Sequence, residues 1–236
     1  GGCWEVIDEG FEHSAGANNY FNLARVMDLS IHDSESVERE TGDHFRRIDG
    51  ARTFEEVYGI VMDNVLRTIR RRCQMIRENG CVWEQVSPAP FFSACLSDCL
   101  KAHRDYTAGG GRYNPHGLPL ASFAVFVDSL LSIRTLCFEK RWCSLSVLLD
   151  AVRADWNRAE NLRQMALSAP RFGDDSEAAN ALAGRILKDL FNGTRDLKNE
   201  RGGAFQLGLY NYVDIVDWAS KTSATPDGRR KGDFLT

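Results

Sequence analysis

The chain begins with Gly-Gly-Cys-Trp-Glu at residues 1–5, and the role of Cys3 in this stretch decides how the fold and the function are interpreted. Cys3 and Glu5 are two residues apart, so in an extended loop their side chains point to the same side. A nearby carboxylate raises the pKa of a thiol, which makes Cys3 a poor ionic nucleophile. A neutral thiol that gives up a hydrogen atom, with Glu5 as a separate base, is chemically coherent. Spacing alone leaves a second interpretation open, in which Cys3 is a structural cysteine.

The composition is ordinary for a globular protein. Of the 236 residues, 43% are hydrophobic and 26% are charged, and the formal net charge is -4. No apolar run approaches the roughly 18 to 20 residues that a membrane span needs. The basic clusters at 67–72 and 228–231 are too short to predict a nucleic-acid surface. We therefore expect neither a membrane nor a nucleic acid as a partner.

The cysteine content favours reduced thiols. Seven cysteines are an odd number, and the chain is too long to depend on a disulfide framework. Reduced thiols are typical of the cytosol, so a cytoplasmic location is expected.

Hydrophobic spacing predicts a mostly helical chain. Thr53 and Glu56 form a capping-box pattern at the start of the strongest helix, and Gly80 ends it. The other predicted helices are a short one capped by Asn18 or Asn19, one after the prolines at 88 and 90, and three near 120–140, 144–168 (with an irregularity at Asp155) and 174–192. Residues 33–52 are predicted to be a surface connection.

Strands are few and widely separated. They are predicted at about 112–115 and 205–213, and the second segment also fits a strand that passes into a short helix. Residues 222–232 are turn-rich and are expected to form an ordered loop. A sheet cannot be completed with so few strands, so we expect these strands to pair with strands from another part of a larger fold. This indicates that the chain is a fragment.

The other clusters of cysteine, histidine and glycine residues do not predict a catalytic or metal-binding site. Cys95, Cys99 and His103 are spaced to share one helix face, which fits a buried face better than a zinc site. The glycines at 109–111 lack a phosphate-binding pattern and are expected to let the backbone pass close to another element. His116 is interpreted as a loop histidine. No metal site is predicted.

Four segments together resemble glycyl radical enzymes, the pyruvate formate-lyase-like superfamily. Gly2-Cys3-Trp4-Glu5 is similar to the G-C-V-E segment of that family. The other three are YFNLARVMDLSI (20–31), PAPFFSACLSDCLKAHRDYTAGGGRYN (88–114) and SATPDGRRKGDFL (223–235). They occur in the order found in the family and together span essentially the whole chain.

The resemblance implies a helix-dominated α/β fold that forms part of the second half of a ten-stranded α/β barrel. It implies that Cys3 carries the thiyl radical and that Glu5 is the general base. His13, Asn18 and Asn19 lie in the same loop region and are candidate substrate-binding residues.

Two departures from the family pattern narrow the expected reaction. Pyruvate formate-lyase itself has two adjacent cysteines, whereas Gly2 precedes Cys3, which favours dehydratases, lyases and decarboxylases that cleave C–O, C–N or C–C bonds. Diol dehydratases have an aspartate where this chain has Ala17, which argues against a diol or glycerol substrate. Formate acetyltransferase activity and a non-catalytic structural or interaction domain remain alternatives.

The expected organisation is a single incomplete domain over 1–236. It comprises a cysteine loop at 1–17, a helical part at 18–104, and half-barrel strands and helices at 105–236. The R-V-x-G-Y glycyl loop of the family does not occur in these residues. We expect the C-terminal glycyl radical domain to be absent, the chain alone to be inactive, and no cofactor to be bound by it. A radical S-adenosylmethionine activase, a small-molecule substrate and a homodimeric parent enzyme are the implied partners.

Overall fold

A computed structural model describes residues 8–11, 20–80, 82–211 and 214–235, without the side chains of residues 214 and 215. The α-helices of these ranges are α1 Leu23–Leu29, α2 Glu35–Thr41, α3 Phe54–Gly80, α4 Trp83–Val86, α5 Pro90–Ser93, α6 Ser97–Ala102, α7 Phe123–Ile133, α8 Leu145–Arg153, α9 Glu160–Leu167, α10 Glu177–Thr194 and α11 Asp214–Lys221. A 3₁₀ turn occupies Tyr106–Ala108, and a π-helical segment, Arg134–Glu139, follows α7.

The strands are β1 Phe21–Asn22, β2 His116–Ala121 and β3 Phe205–Leu209, and they form one sheet in the order β1-β2-β3. The backbone N–H of His116 donates to the carbonyl of Ala204 (3.0 Å), and that of Tyr210 donates to the carbonyl of Leu120 (2.9 Å). Residue numbers therefore increase together along β2 and β3, so these two strands are parallel. The helix-dominated α/β class is confirmed, although the described residues do not build the ten-stranded barrel itself.

The chain divides into two compact units. The first unit comprises the described parts of residues 1–21, 69–119 and 191–208, and the second comprises 22–68, 120–190 and 209–235. Helix α3 and each strand pass from one unit into the other along the chain. The predicted domain boundaries stay a prediction.

Helix α3 forms where the capping box predicts it. The backbone N–H of Glu56 donates to Thr53 Oγ1 (3.2 Å), and the Glu56 carboxylate accepts from the backbone N–H of Arg52. An apolar stripe is buried along the helix, with Val57, Val61, Val65 and Ile69 fully enclosed. Burial of each aliphatic side chain contributes about 1.5–3 kcal/mol relative to exposure.

The second unit has its core between α1 and α7, which pack against each other. Helix α7 is buried on nearly every side, as its almost continuous apolar sequence requires. Trp156 is fully enclosed and sits where the chain turns between α8 and α9. Asp155 and Trp156 have left-handed φ values of 52° and 61°, which confirms the predicted irregularity in this stretch.

Several predicted elements are wrong in their bounds. The N-cap of α1 is Asn22, whose side chain accepts from the Arg25 N–H, and not Asn18 or Asn19. Part of the predicted connection at 33–52 is helical, as α2. The first predicted strand lies at 116–121 instead of 112–115, so His116 begins a strand, with its ring 5.7 Å from that of Phe205.

The segment that begins at about residue 205 is a strand followed by a short helix, which is the second of the two interpretations that the sequence left open. Strand β3 ends at Leu209, and helix α11 begins at Asp214. None of the helices in the described part of the chain is long and apolar enough to cross a membrane.

Candidate active site

The predicted catalytic residues Cys3 and Glu5 lie outside the described residues, as do His13, Asn18 and Asn19. Their roles stay predictions. The three other segments on which the resemblance rests lie within the described residues, and each is described below within its own unit.

Residues 8–11 belong to the predicted cysteine loop and are anchored within the first unit. The carbonyl of Gly10 accepts a hydrogen bond from the Ser97 N–H at 2.8 Å, at the start of α6. The Arg112 guanidinium lies 4.2 Å from the centre of the Phe11 ring, and its Nε donates to Asp98 Oδ2 at 2.6 Å. A backbone hydrogen bond and a cation–π contact therefore fix this part of the loop.

Asp105 organises the segment after α5. Its carboxylate accepts from the Ala89 N–H (3.1 Å), the Ser93 hydroxyl (2.8 Å), and both the N–H and the hydroxyl of Thr107 (2.9 and 2.6 Å). Burial opposes the ionised form, but these hydrogen bonds outweigh it and lower the pKa of Asp105. The carboxylate thus holds α5 against the 3₁₀ turn.

The glycines at 109–111 allow close backbone approach, as predicted. A Cβ atom on Gly110 would lie 2.0 Å from the Arg104 carbonyl oxygen, and one on Gly203 would lie 1.7 Å from the Asn114 carbonyl oxygen. Asn199 Nδ2 donates to that same Asn114 carbonyl at 2.6 Å, and Asn114 Nδ2 donates to the Gly111 carbonyl at 2.8 Å. Two asparagine side chains therefore fix this glycine segment in the first unit.

In the second unit, α1 carries a fully buried carboxylate. Asp28 contacts the guanidinium of Arg25, His32 Nδ1 (2.7 Å) and the backbone N–H of Ser223 (3.3 Å). Burial works against its charge, but the hydrogen bond with His32 and the charge of Arg25 outweigh it and lower the pKa of Asp28. The helix that follows the predicted cysteine loop is thereby fixed to the loop at 222–232.

The loop at 222–232 is ordered, as predicted, and most of its residues are buried. Trp156 Nε1 donates to the Arg229 carbonyl (3.2 Å), and Arg163 Nε donates to the Gly228 carbonyl (2.8 Å). The Arg229 guanidinium is buried and donates to the Thr222 carbonyl at 2.9 Å. These donors satisfy carbonyl groups that would otherwise be buried without partners.

A carboxylate pair lies beside this loop. Asp128 on α7 accepts from the Phe172 N–H (2.7 Å) and contacts Arg171 Nη1 (3.3 Å). Asp227 accepts from the Thr225 hydroxyl at 2.6 Å, and Arg171 Nη2 donates to the Asp227 carbonyl at 2.8 Å. Burial raises the pKa of Asp128 to about 6 and also raises that of Asp227.

Sequence reasoning missed the buried carboxylates Asp28 and Asp128. Each is the only acidic residue of its helix, in VMDLS (26–30) and FVDSL (126–130). A lone acidic residue on a buried helix face needs a hydrogen-bonding partner. That pattern is the signal by which they were detectable.

The metal interpretation of Cys95, Cys99 and His103 depended on one continuous helix, and the structure divides that segment into α5 and α6. Cys95 is exposed between the two helices, Cys99 is buried in α6, and His103 caps α6 with a left-handed φ of 49°. The three side chains therefore do not share a helix face. Within the described residues, no group of three or more His, Cys, Asp or Glu side chains is placed to hold a metal ion.

The pattern of the family described as Pyruvate formate lyase-like matches residues 1–216. The chain is 26% identical to (2S)-3-sulfopropanediol dehydratase from Klebsiella oxytoca over 98% of its length, and that alignment covers 28% of the relative. It is 24% identical to isethionate sulfite-lyase from Oleidesulfovibrio alaskensis over 97% of its length, again covering 28% of that protein.

The fold of the chain is also similar to that of solved structures. The B12-independent glycerol dehydratase from Clostridium butyricum superposes with a TM-score of 0.82 at 25% identity, over 92% of this chain and 28% of that one. Hydroxyproline dehydratase from Clostridioides difficile superposes with a TM-score of 0.84 at 20% identity, over the same shares. The chain therefore spans less than a third of the length of the proteins that it resembles.

Proposed function

Because the chain belongs to the pyruvate formate lyase-like family of glycyl radical enzymes, we propose that it supplies the hydrogen-abstracting cysteine loop of a dehydratase or lyase in that family. The observation that carries the proposal is the family match over residues 1–216, a range that includes Gly2-Cys3-Trp4-Glu5. The similar proteins named above are dehydratases and a lyase, which supports a reaction that eliminates a leaving group from the substrate.

Cys3 and Glu5 divide the chemistry between a hydrogen atom and a proton. A glycyl radical, when installed, supplies the unpaired electron. Cys3 gives up the hydrogen atom of its thiol, and its thiyl sulfur then takes a hydrogen atom from the substrate carbon that bears a hydroxyl group. Glu5 accepts the proton of that hydroxyl group while the bond to the leaving group on the next carbon breaks.

The cycle closes on the same two residues. The product radical takes a hydrogen atom back from the Cys3 thiol, and the proton on Glu5 leaves with the departing group. The products are a carbonyl compound and, depending on the substrate, water or sulfite. A general base of this kind contributes typically about 10²–10⁴-fold to a rate.

The proposed substrate is a small polar molecule with a hydroxyl group next to the carbon that carries the leaving group. The similar proteins are named for sulfopropanediol, isethionate, hydroxyproline and glycerol, and each of these compounds carries a hydroxyl group. His13, Asn18 and Asn19 are the proposed contacts to the polar groups of the substrate. Ala17 gives no carboxylate for a second hydroxyl group, which favours isethionate-like molecules over simple diols.

The 236-residue chain alone is expected to be inactive, since the R-V-x-G-Y motif does not occur in it. We propose that the active enzyme is the longer polypeptide that contains this chain, acting as a cytoplasmic homodimer after activation by a radical S-adenosylmethionine enzyme. The proposal includes no nucleic-acid or membrane partner.

The test is anaerobic turnover by that longer polypeptide after treatment with its activase. Isethionate, 3-sulfopropanediol, trans-4-hydroxyproline, glycerol and 1,2-propanediol are the substrates to compare, with sulfite and carbonyl products measured. We expect Cys3→Ala to abolish turnover, Glu5→Gln to reduce kcat by about 10²-fold or more, and Cys95→Ser to leave it unchanged.

Electron paramagnetic resonance separates loss of chemistry from loss of folding. The Cys3→Ala variant should still acquire a glycyl radical signal after activation, because that radical forms on another residue. Turnover by Cys3→Ala would overturn the thiyl assignment. Absence of both the signal and turnover in the unmodified polypeptide would favour the non-catalytic alternative.

A further inference from the structure

Cys137 and Cys143 form a close pair of thiols in the second unit. Their Sγ atoms are 3.9 Å apart. Cys137 lies in the π-helical segment that extends α7, and Cys143 lies in the short connection before α8. Of the cysteines that the structure describes, this pair alone brings two sulfur atoms within 4 Å.

The backbone after α7 creates this pairing. The Lys140 N–H donates to the Thr135 carbonyl (2.9 Å), and the Trp142 N–H donates to the Leu136 carbonyl (2.8 Å). Both hydrogen bonds span more residues than the four-residue interval of an α-helix. Between them, Arg141 has a left-handed φ of 54°, which reverses the chain. The reversal returns Cys143 to the side of the helix end where Cys137 lies.

The two thiols differ in access and acidity. Cys137 is buried, whereas Cys143 is half-buried and accessible from solvent. The hydrogen bond between the two thiols lowers the pKa of Cys143, whereas the same bond together with burial raises the pKa of Cys137. Since the thiolate is the reactive form, Cys143 is the thiol that reacts first.

The other described cysteines lack this arrangement. Burial raises the pKa of Cys73 to about 11 and also raises the pKa of Cys99, so both are poorly reactive. Cys95 is exposed, but its sulfur interacts with the Phe91 carbonyl at 3.5 Å and not with a second thiol. Cys95 is therefore the natural comparison, as an accessible thiol without a neighbouring sulfur.

We propose that Cys137 and Cys143 form an oxidation site for hydroperoxides, at which the two thiols close to a reversible disulfide. The proposal is independent of the proposed catalytic function, because both residues lie far along the chain from the cysteine loop and neither is used by the mechanism.

The reaction proceeds in two balanced steps. The Cys143 thiolate attacks one oxygen of hydrogen peroxide, the O–O bond breaks, and the hydroxide that leaves takes a proton to become water. The resulting sulfenic acid is then attacked by the sulfur of Cys137. The S–O bond breaks, and hydroxide leaves with the Cys137 proton as a second water. Two thiols are oxidised by two electrons, and one peroxide is reduced to two waters.

The geometry requires only a local movement. A disulfide needs the sulfurs at about 2.05 Å, so they must approach by roughly 1.9 Å from their present separation. Residues 140–144 connect the π-helical segment to α8 outside any helix, so Cys143 can move without unwinding either one. The disulfide would be accessible from the Cys143 side, which allows a dithiol reductant to reverse it.

The test uses the reduced 236-residue chain treated anaerobically with one equivalent of hydrogen peroxide, then alkylated and digested with trypsin. The expected product is peptide 135–140 linked to peptide 142–153, formed at least about tenfold faster than any oxidation of Cys95 and reversed by dithiothreitol. Phenylarsine oxide, which bridges two close thiols, should block both cysteines at a ratio of one arsenic per chain.

Two variants assign the order of the steps, with circular dichroism to confirm that each is folded. Cys137→Ser should accumulate a sulfenic acid on Cys143 that dimedone traps. Cys143→Ser should leave Cys137 reduced under the same conditions. The proposal is wrong if peroxide oxidises Cys95 as fast as Cys143, or if both thiols are converted to sulfinic acids without the linked peptides.

Discussion

Asp128 is a carboxylate on an otherwise apolar helix, and its burial raises its pKa to about 6. Between about pH 4 and pH 6 the folded protein holds a proton on this group that the unfolded chain has already released. Stability is therefore lost as the pH rises through this window, because the unfolded state binds fewer protons. The ionised form that remains above pH 6 is tolerated because Arg171 and the Phe172 N–H contact the carboxylate.

We predict that Asp128→Asn removes this loss. The amide oxygen can still accept from the Phe172 N–H, but the group no longer titrates. The free energy of unfolding, measured by urea denaturation from pH 4 to 7, should fall less with pH in Asp128→Asn than in the unmodified chain. Asp150→Asn, at an exposed carboxylate on α8, should follow the unmodified chain. Parallel curves for Asp128→Asn and the unmodified chain would contradict the assignment.

Residue-level features divide into those that the local sequence predicts and those that depend on distant contacts. The capping pair Thr53 and Glu56 was predictable because both partners lie within one turn. The buried contacts of Asp28 with Ser223, 195 residues away, could not be predicted from neighbouring residues. Cys3 and Glu5 were selected by resemblance, and their placement stays a prediction.

At the scale of elements, glycines have opposite effects according to their surroundings. Gly59 is exposed inside α3, and a Cβ atom there would meet nothing within 4 Å. Gly203 lies in the turn before β3, and a Cβ atom there would lie 1.7 Å from the Asn114 carbonyl oxygen. The first glycine only weakens its helix, whereas the second is required by close backbone packing.

We predict that Gly59→Ala raises the free energy of unfolding by about 0.5–1 kcal/mol, since alanine loses less backbone entropy in a helix. Gly203→Ala should lower it by about 1–3 kcal/mol, because the backbone must shift to accept the new methyl group. Chemical denaturation of the two variants side by side provides the measurement. Equal effects would show that the turn at 199–204 is free to move away from Asn114.

The elements also show why predicted boundaries failed. Strand β2 contains Pro119 and lies at the centre of the sheet order, where proline is disfavoured, so the sequence placed the strand earlier. The segment at 90–103 has helical spacing throughout, yet the chain breaks after Ser93 and Leu96 adopts an extended conformation before α6. Helices α3 and α10 had continuous apolar stripes, and both were predicted close to their observed bounds.

At the scale of the whole molecule, the distribution of exposed apolar side chains determines whether the chain associates with itself. The region around α4 and α5 exposes large apolar side chains within a short stretch of the first unit, including Val86 at 74% and Phe91 at 92% exposure. The others in this region are Val82, Trp83, Phe92 and Leu100. Concentrated apolar exposure of this kind promotes association, and a net charge of -4 opposes it only weakly.

We predict that the 236-residue chain associates reversibly with increasing concentration, and more strongly near its isoelectric point of about 5.8 than at pH 7.5. The double variant Val86→Glu/Phe91→Glu should lower the weight-average mass measured by sedimentation at a given concentration, because it adds two charges to the apolar region. Val147→Glu/Phe234→Glu is the matched control, since it also adds two charges at exposed apolar side chains but in the second unit. An equal reduction by this control would show that net charge, rather than the α4–α5 surface, controls association.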